Sequence, residues 1–251
     1  MVKKPINSAI RYVEWPVANI LAYTTARHRP DNLILKTNTP YNAFNLGEHV
    51  GDDIDIVKAN RKTLHLLHEN KLDIQWLEQV HGNHVVVVKE YSEVPFVADA
   101  AITSDKNIAL AVMTADCLPI LLTNKQGTEI AAIHGGWRPL SKAIIEKTIT
   151  QMESPANDIY AWLGPCIGAN AFEVGQDVVS SFPHQQKSAF KLQNNSKYLA
   201  DLQKIAFNQL TELGVNNIST LTDCTFENTQ DYYSYRREGV TGRMASIISF
   251  C

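Results

Sequence analysis

Long hydrophobic runs are scarce in this chain of 251 residues, although 45% of its residues are apolar. The longest runs, residues 108–115 and 117–122, have the length of a strand and fall short of the ~20 residues that a membrane helix needs. No apolar stretch of signal-peptide length follows the basic residues 1–4. We therefore expect a cytoplasmic protein that does not bind a membrane.

An excess of either charge is also missing. The chain has 23 Lys and Arg against 26 Asp and Glu, which gives a formal charge of −3. Nucleic acids and anionic membranes are bound through strongly basic surfaces, so we expect neither as a partner.

Cysteine and histidine motifs are few. The four cysteines form no C-x-x-C pair, which argues against a closed structural zinc site, and without an export signal we expect reduced thiols. The eight histidines form no His-x-His pair, whereas a blue multicopper oxidase relies on several such pairs. The sequence therefore argues against a true laccase.

Short strand-like runs alternate with helical patterns, and no Gly/Ser-rich linker divides the chain. The patterns predict strands at residues 20–25, 74–80, 84–89, 108–114, 118–123, 128–133, 159–163 and 244–250. They predict helices after a cap at residue 52 or 53, from Pro139 to about residue 152, and over residues 175–182 and 198–213. Turns at residues 81–83 and 124–127 predict two hairpins. Strands outnumber helices, which favours an α+β fold with a mixed sheet and flanking helices.

Three residues of the types that can bind soft metals lie where predicted strands end. His81 and His134 each close a strand and precede Gly, and Cys117 follows a strand. Two His and one Cys form a zinc ligand set that leaves a fourth position open, which is typical of catalytic sites. The alternative is that Cys117 is a buried core thiol and the two imidazoles satisfy turn carbonyls.

The other histidines point less clearly to chemistry. We interpret His84 as a half-buried strand residue and the His65/His68 pair as a solvated helix face. His49 lies in a Gly/Asp-rich loop from which it could approach the site.

Five motifs occur in order along the chain: Gln79-Val-His-Gly, Ala115-Asp-Cys-Leu-Pro, His134-Gly-Gly-Trp-Arg, Gly164-Pro-Cys-Ile-Gly, and Ser234-Tyr-Arg-Arg-Glu-Gly with Thr241-Gly-Arg. Together they resemble the YfiH-like laccase-domain family, also called polyphenol oxidase or peptidoglycan editing factor, over about four-fifths of the chain. The resemblance implies one α+β domain over residues 1–251, similar in fold to the cytotoxic necrotizing factor deamidase. It implies zinc on His81, Cys117 and His134, with these residues also catalytic. It further implies a cytoplasmic purine nucleoside phosphorylase that acts on adenosine, inosine and 5′-methylthioadenosine and has adenosine deaminase activity.

Two residues depart from the family motif His-Ala-Gly-Trp-Arg-Gly. Gly135 stands in place of Ala, which removes only a methyl group and should spare the ligand. Pro139 stands in place of the last Gly and removes a backbone N–H, so an anion contact from that amide is lost.

Phosphate should be held by arginines, whose planar fork matches its oxygens. The candidates are Arg61, Arg138, Arg236, Arg237 and Arg243. We expect Arg61, Arg138 and Arg237 to bind substrate. Two further candidates are Asn45, which could bond a ribose or base edge or merely close an Asx turn, and Cys166, which could line the pocket or be an inert buried thiol. Asp116 could orient Cys117 or accept a proton, unless the strand continues and turns its side chain away.

Other functions remain open. Cys117 could be the nucleophile of a metal-free Cys/His amidase that edits peptidoglycan precursors, with His134 or His81 as its base. The chain could also be a non-enzymatic metal-binding module. Copper could replace zinc and support polyphenol oxidation, since the ligand set tolerates it. The expected partners are purine nucleosides and phosphate, and the oligomeric state is not predicted.

Overall fold

The computed structural model describes residues 9–30, 39–66 and 72–251. Its first sheet is mixed and has five strands, which are, from edge to edge, β1 (Ile10–Tyr12), β2 (Ile20–Thr25), β16 (Met244–Phe250), β8 (Ile108–Thr114) and β3 (Asp73–Gln75). The second sheet is mixed and has six strands, β15 (Asn217–Thr220), β11 (Ile159–Leu163), β9 (Leu118–Asn124), β10 (Ile130–Gly135), β7 (Ala100–Thr103) and β5 (Val85–Val87).

Two small sheets and short helices complete the described part of the chain. The small sheets consist of β12 (Glu173–Val174), β14 (Tyr198–Ala200) and β13 (Phe190–Leu192), and of β4 (Leu77–Glu78) and β6 (Phe96–Val97). The α-helices are α1 (Ile54–Leu66), α2 (Trp137–Ser141), α3 (Ile144–Gln151), α4 (Gln176–Ser180), α5 (Leu202–Glu212) and α6 (Tyr235–Glu238). Three 3₁₀ turns lie at Ala156–Asp158, His184–Ala189 and Asn194–Ser196.

The two large sheets pack face to face, and each also has a covered outer face. Leu110 of β8 and Leu121 of β9 share the core between the sheets. Leu64 of α1 packs on the outer face of the first sheet. Ile145 of α3 and Ile205 of α5 pack on the outer face of the second. The layers are therefore helix, sheet, sheet and helix.

The long apolar runs of the sequence are explained by these layers. Every residue of β8 and β9 is buried, and successive residues of β8 contribute alternately to the cores on its two faces. A strand covered on both faces has no solvent side and needs no polar alternation. Segments 115–117 join the end of β8 to the start of β9, so the chain crosses there from one large sheet to the other.

Several sequence predictions are confirmed. Strands 20–25, 108–114, 159–163 and 244–250 have the predicted bounds, and β9 pairs with β10 through the turn at residues 124–127. The side chain of Asp53 accepts a hydrogen bond from the backbone N–H of Asp55 at the start of α1, as a helix cap should. Mixed sheets with few helices make this a mixed α/β fold; the likeness to a deamidase toxin stays a prediction.

The hairpin predicted over residues 74–89 is wrong. The structure has only β3, β4 and β5 there, and they pair in parallel with β8, β6 and β7. The reason lies in the turn. The backbone N–H groups of Val80, His81 and Gly82 all donate to the carboxylate of Asp99, so the turn is fixed by a distant residue and not by a cross-strand ladder.

Two predicted helices are also broken. The helix from Pro139 divides into α2 and α3 because Ala143 between them has a left-handed φ of 60°. Residues 198–200 form strand β14 instead of helix, and α5 begins only after Asp201, whose carboxylate accepts from the N–H of Lys204. The predicted helix over residues 175–182 is shorter, as α4. None of the helices in the described ranges is long and apolar enough to span a membrane.

Candidate metal centre and substrate pocket

His81, Cys117 and His134 meet at one point of the structure. Their ligand atoms all lie within 4.8 Å of one another, and Cys117 Sγ is 3.9 Å from His81 Nε2. The two imidazole rings pack edge to face with centroids 4.7 Å apart. His81 is exposed, Cys117 half-buried and His134 buried, so the cluster is open to solvent on one side.

A different structural element positions each of the three candidate metal ligands. Cys117 ends the crossover from β8 to β9. His134 lies in β10, opposite Pro119 of β9, so the strand pairing sets its distance from Cys117. His81 follows β4 in a loop and has a left-handed φ of 56°. Such a φ is uncommon for a residue with a Cβ and must be held in place by its surroundings.

Asp99, between β6 and β7, holds both histidines. Its carboxylate is fully buried and lies 2.8 Å from His134 Nδ1; an ionised carboxylate only accepts, so the ring nitrogen donates. Burial alone would raise the pKa of Asp99, but hydrogen bonds from His134 and from the N–H groups of Gly82 and His81 lower it. Asp99 is therefore an ionised anchor beside the cluster.

Gly136 leaves the space that the cluster needs. A Cβ at this position would lie 3.0 Å from Cys117 Sγ and 3.5 Å from His81 Cδ2. Neighbouring Gly135 pairs with Leu118, and a Cβ there would lie 2.7 Å from the Leu118 carbonyl oxygen. In this chain the glycine at 135 therefore permits a close backbone approach. Pro139 is buried within α2, near its start, where its missing N–H leaves no intrahelical bond unmade.

The cluster has the electrostatics of a metal-ligand set. Burial opposes ionisation of the Cys117 thiol, but the charge and hydrogen bonding of His134, and then those of His81, lower its pKa. Burial likewise opposes protonation of His134, but the Cys117 thiolate and the Asp99 carboxylate raise its pKa. A thiolate next to two imidazoles fits a soft divalent cation such as zinc, and it would also accept copper. The chemistry of the donors does not choose between the two ions.

The cluster lies on the wall of a cavity of about 520 Å³. Three arginines, Arg138, Arg236 and Arg243, line the same cavity, as do the flat side chains of Trp137, Phe172 and Tyr235. The guanidinium of Arg138 lies 4.3 Å from the ring centroid of Trp137, and that of Arg236 lies 5.2 Å from the centroid of Phe172. The cavity therefore combines a candidate metal site, cationic groups and aromatic surfaces.

The carboxylate that lines this cavity, Asp116, is already engaged. Its Oδ1 accepts from Thr225 Oγ1 at 2.7 Å, and its Oδ2 accepts from Ser234 Oγ at 3.0 Å and from the N–H of Arg236 at 2.7 Å. Asp116 has a φ of 98°, which turns its side chain away from the cluster and toward α6. It positions the wall that carries Tyr235 and Arg236.

The comparison with protein families identifies the chain. The model of the family described as "multi-copper polyphenol oxidoreductase laccase" matches residues 35–251. The chain belongs to this family. The YfiH-like resemblance expected from the sequence is confirmed.

Several named proteins and one solved structure resemble this laccase-like chain over most of its length. The protein named purine nucleoside phosphorylase YfiH of Escherichia coli K12 is 42% identical over 211 residues, which cover 83% of this chain and 87% of that protein. A purine nucleoside phosphorylase of Haemophilus influenzae is 41% identical, with 92% and 95% covered. The crystal structure of Neisseria meningitidis protein NMB0706 superposes with a TM-score of 0.90 at 38% identity and covers 96% of this chain and 99% of its own.

Four residues expected to bind substrate do not line the cavity of this laccase-like chain. Asn45 is buried, and its Oδ1 accepts from Gly47 N–H in an Asx turn and from the N–H of Arg243. Arg61 forms an ion pair with Glu48 and stacks on Trp76.

The other two, Cys166 and Arg237, also face the protein. Cys166 is a buried thiol beside Cys224, and burial raises its pKa well above the usual value. Arg237 donates to the carbonyl oxygens of Thr225, Phe226 and Tyr232. Asn45 and Arg237 instead brace the segments that carry Arg243 and Arg236, and direct contact of these four residues with substrate stays a prediction. Of the predicted substrate arginines, Arg138 lines the cavity.

Of the other histidines considered from the sequence, one lines the cavity and two that the structure describes lie elsewhere. His49 lines the cavity, and burial together with Arg243 and Arg61 lowers its pKa. His84 is exposed rather than half-buried, with Nδ1 2.8 Å from the Val97 carbonyl oxygen. His65 lies in the last turn of α1, and His68 lies outside the described residues.

Sequence reasoning missed three residues that shape the site. Asp99 was identifiable as a lone acid in the apolar run 94–103, because a buried carboxylate needs partners. Gln79 exchanges two hydrogen bonds with the backbone of Met113 and so ties the His81 loop to the end of β8. Phe172 has no local signal, since one aromatic residue in an irregular segment does not reveal what it faces.

Proposed function

We propose that the protein is a cytoplasmic, zinc-dependent purine nucleoside phosphorylase. Its substrates would be adenosine, inosine and 5′-methylthioadenosine, each with inorganic phosphate, and it would also deaminate adenosine. The whole chain, residues 1–251, would act as one domain, with zinc on His81, Cys117 and His134 and with neither nucleic acid nor membrane as a partner.

One observation supports this proposal most strongly. The metal cluster shares a cavity of about 520 Å³ with Arg138, Arg236 and Arg243, while Asp116 on the same wall is fully engaged by the protein. Such a cavity favours an anion beside a cation site. Phosphate is an anion whose oxygens match the arginine fork in a bidentate manner.

Phosphorolysis breaks the C1′–N9 bond of the nucleoside and forms a bond from C1′ to a phosphate oxygen, and the leaving purine takes up a proton. The arginines would bind and orient phosphate beside C1′, which removes much of the entropic cost of bringing two substrates together. Trp137, Phe172 and Tyr235 offer flat surfaces for the base. Zinc, when bound, supplies a Lewis acid that polarises an oxygen of a substrate.

The relatives support the same reaction class. The Escherichia coli and Haemophilus influenzae proteins carry the name purine nucleoside phosphorylase, and their similarity extends over 83% and 92% of this chain. The family description points instead to a copper oxidase. Among the residues that the structure describes, however, only one cluster of three or more His, Cys, Asp or Glu side chains could hold an ion. A multicopper oxidase needs several sites, so we favour phosphorolysis.

The decisive experiment measures adenine release from adenosine by purified protein whose zinc and copper content has been determined. We expect free purine base (adenine together with hypoxanthine from any inosine formed) and ribose 1-phosphate in equal amounts, in proportion to bound zinc, and no free base when phosphate is omitted. Release that does not depend on phosphate, or activity that follows copper rather than zinc, would contradict the proposal.

Deamination is tested in the same assay without phosphate. We expect inosine and ammonia to accumulate, because without phosphate the C1′–N9 bond stays intact, while water adds at C6 of the base and the amino group leaves as ammonia. If only adenosine remains, the deaminase part of the proposal fails and the phosphorylase part stands.

A second candidate has support of its own. Asp99, His134 and Cys117 follow one another as an orienting carboxylate, an imidazole and a thiol, which is the order of parts in Cys/His hydrolases. An amidase acting on peptidoglycan precursors would use Cys117 as nucleophile without a metal. Metal-free protein that cleaves such amides and is inactivated by alkylation of Cys117 would favour this reading. Near-stoichiometric zinc that is lost in His81→Ala would count against it.

A further inference from the structure

Asp99 accepts four hydrogen bonds that all come from the ligand-bearing segments. Oδ1 accepts from the N–H of His81 at 3.0 Å and from His134 Nδ1 at 2.8 Å. Oδ2 accepts from the N–H groups of Val80 at 3.3 Å and Gly82 at 2.6 Å. The carboxylate thus joins two histidines that are 53 residues apart in the chain.

On the His81 side the contact is a backbone cradle. Three successive N–H groups converge on one carboxylate, an arrangement that binds anions well. The same segment contains the left-handed φ of His81, which costs conformational free energy unless its surroundings compensate for it. The three bonds to Asp99 hold the segment in this conformation, and the imidazole of His81 is thereby aimed at Cys117.

On the His134 side the contact fixes the ring. Because Nδ1 donates to Asp99, the nitrogen left for the cluster is Nε2. The backbone strengthens the link, since the N–H of His134 donates to the carbonyl oxygen of Asp99 at 2.8 Å. The tautomer and the position of His134 therefore depend on the same residue.

We propose that Asp99 is the positioning residue of the metal centre: a single buried carboxylate that orients both histidine ligands at once. This inference rests on the metal site of the proposed function. Asp99 touches neither the metal nor the substrate and acts through His81 and His134. Its four donors need two acceptor oxygens with full negative charge, which no neutral residue of the same size supplies.

The test compares Asp99→Asn with Glu129→Gln. An Asn at 99 has one acceptor oxygen, and its NH₂ group meets donors, so at least two of the four bonds are lost. Glu129 is a matched control, because it is also buried and accepts from Glu153 N–H and from the N–H and Oγ of Ser154. It adjoins the far end of β10, some five residues or roughly 17 Å along the strand from His134.

Zinc affinity is measured by competition with a chromophoric chelator, after circular dichroism shows that each variant is folded. We expect Asp99→Asn to lose about 10–100-fold in zinc affinity, as is usual when a partner of a ligating histidine is removed, and Glu129→Gln to match the wild type. Equal affinities in all three proteins, or the same loss in both variants, would overturn the role of Asp99. Wild-type protein that binds no zinc would overturn the proposed metal site together with it.

A measurement on the wild type covers the case in which Asp99→Asn does not fold. Long-range ¹⁵N–¹H correlation spectra of the zinc-loaded protein report which nitrogen of each imidazole carries the proton. We expect His134 to be protonated at Nδ1, with Nε2 shifted by the metal. Protonation at Nε2 would mean that Asp99 does not set the ring and would overturn the inference.

Discussion

Two buried aspartates, Asp99 and Asp116, organise two parts of the wall of one cavity. The four hydrogen bonds of Asp99 come from residues 80–82 and 134, which carry the ligand histidines. The three bonds of Asp116 come from Thr225, Ser234 and Arg236, at least 109 residues away. Each carboxylate gathers backbone and side-chain donors from segments that lie apart in the sequence.

The difference lies in what each aspartate presents to the cavity. Asp99 is fully buried beneath the part of the cavity wall formed by His81, Cys117 and His134, here called the metal wall. Asp116 adjoins Cys117 in sequence but turns toward α6 and the part lined by Arg138, Arg236 and Arg243, here called the arginine wall. We therefore expect substitutions in the two walls to have separate effects on binding. A substitution in the metal wall should change metal binding, and a substitution in the arginine wall should change the binding of phosphate.

The largest effect is expected at the metal wall itself. Cys117→Ala removes a ligand, so zinc affinity and phosphorolysis should both fall by more than the about 10–100-fold loss that partners of ligands cause. The measurements are zinc content and adenine release. Cys251→Ala, which changes an exposed cysteine, serves as the control. Full phosphorolysis in Cys117→Ala would remove the metal centre from the mechanism.

Asp116→Asn tests the arginine wall. Asn tolerates a positive φ, so the substitution mainly removes charge from the bonds to Ser234 and Arg236. A charge-assisted hydrogen bond contributes about 1.5–3 kcal/mol, which corresponds to roughly 10–100-fold in KM for phosphate. Zinc content should be unchanged. Zinc loss together with an unaltered KM would show that the two walls are one unit.

Arg138→Gln should have a smaller effect on the same wall. The side chain is exposed and its guanidinium stacks on Trp137, so its loss should not destabilise the fold. We expect KM for phosphate to rise about tenfold, the equivalent of about 1.4 kcal/mol, with kcat and zinc content preserved. Lys125→Gln, an exposed cation in the β9–β10 turn, is the control. A KM that stays at the wild-type value would assign phosphate to the other arginines.

Gly136→Ala is the mildest test of the metal wall. The backbone at Gly136 has φ −65° and ψ 161°, which alanine adopts freely, so the added methyl acts only through its 3.0 Å approach to Cys117 Sγ. We expect a loss of zinc affinity of roughly threefold, about 0.6 kcal/mol, and little change in thermal stability. The check is the same chelator competition. Unchanged affinity would mean that the cluster adjusts to the extra methyl.

Much of the fold could be predicted because burial leaves a local signature. Strands β8 and β9 have almost entirely apolar sequences, without polar alternation, since both of their faces are covered. The hairpin predicted at residues 74–89 failed for the opposite reason. Its valine runs and glycine turn are typical of a hairpin, yet each short strand pairs in parallel with a distant one, and the turn amides bind Asp99.

In the candidate site, too, some residues could be predicted from the sequence and others could not. His81, Cys117 and His134 could be proposed together from sequence because all three are soft-ligand residues at the ends of predicted strands and lie in motifs that carry the family resemblance. The arginines could not be sorted. Arg236 and Arg237 are adjacent, but one lies against Phe172 in the cavity and the other donates to carbonyl oxygens of Thr225 and Phe226.

By itself, the sequence determined the family, because five motifs in order carry the resemblance, and it proposed His81, Cys117 and His134 as metal ligands; the scarcity of cysteine pairs, of His-x-His and of long apolar runs argued against other classes of protein. Only the tertiary structure decided which carboxylate supports the ligands and which arginines face the cavity. Those choices depend on contacts between segments tens to more than a hundred residues apart, and no local pattern records them.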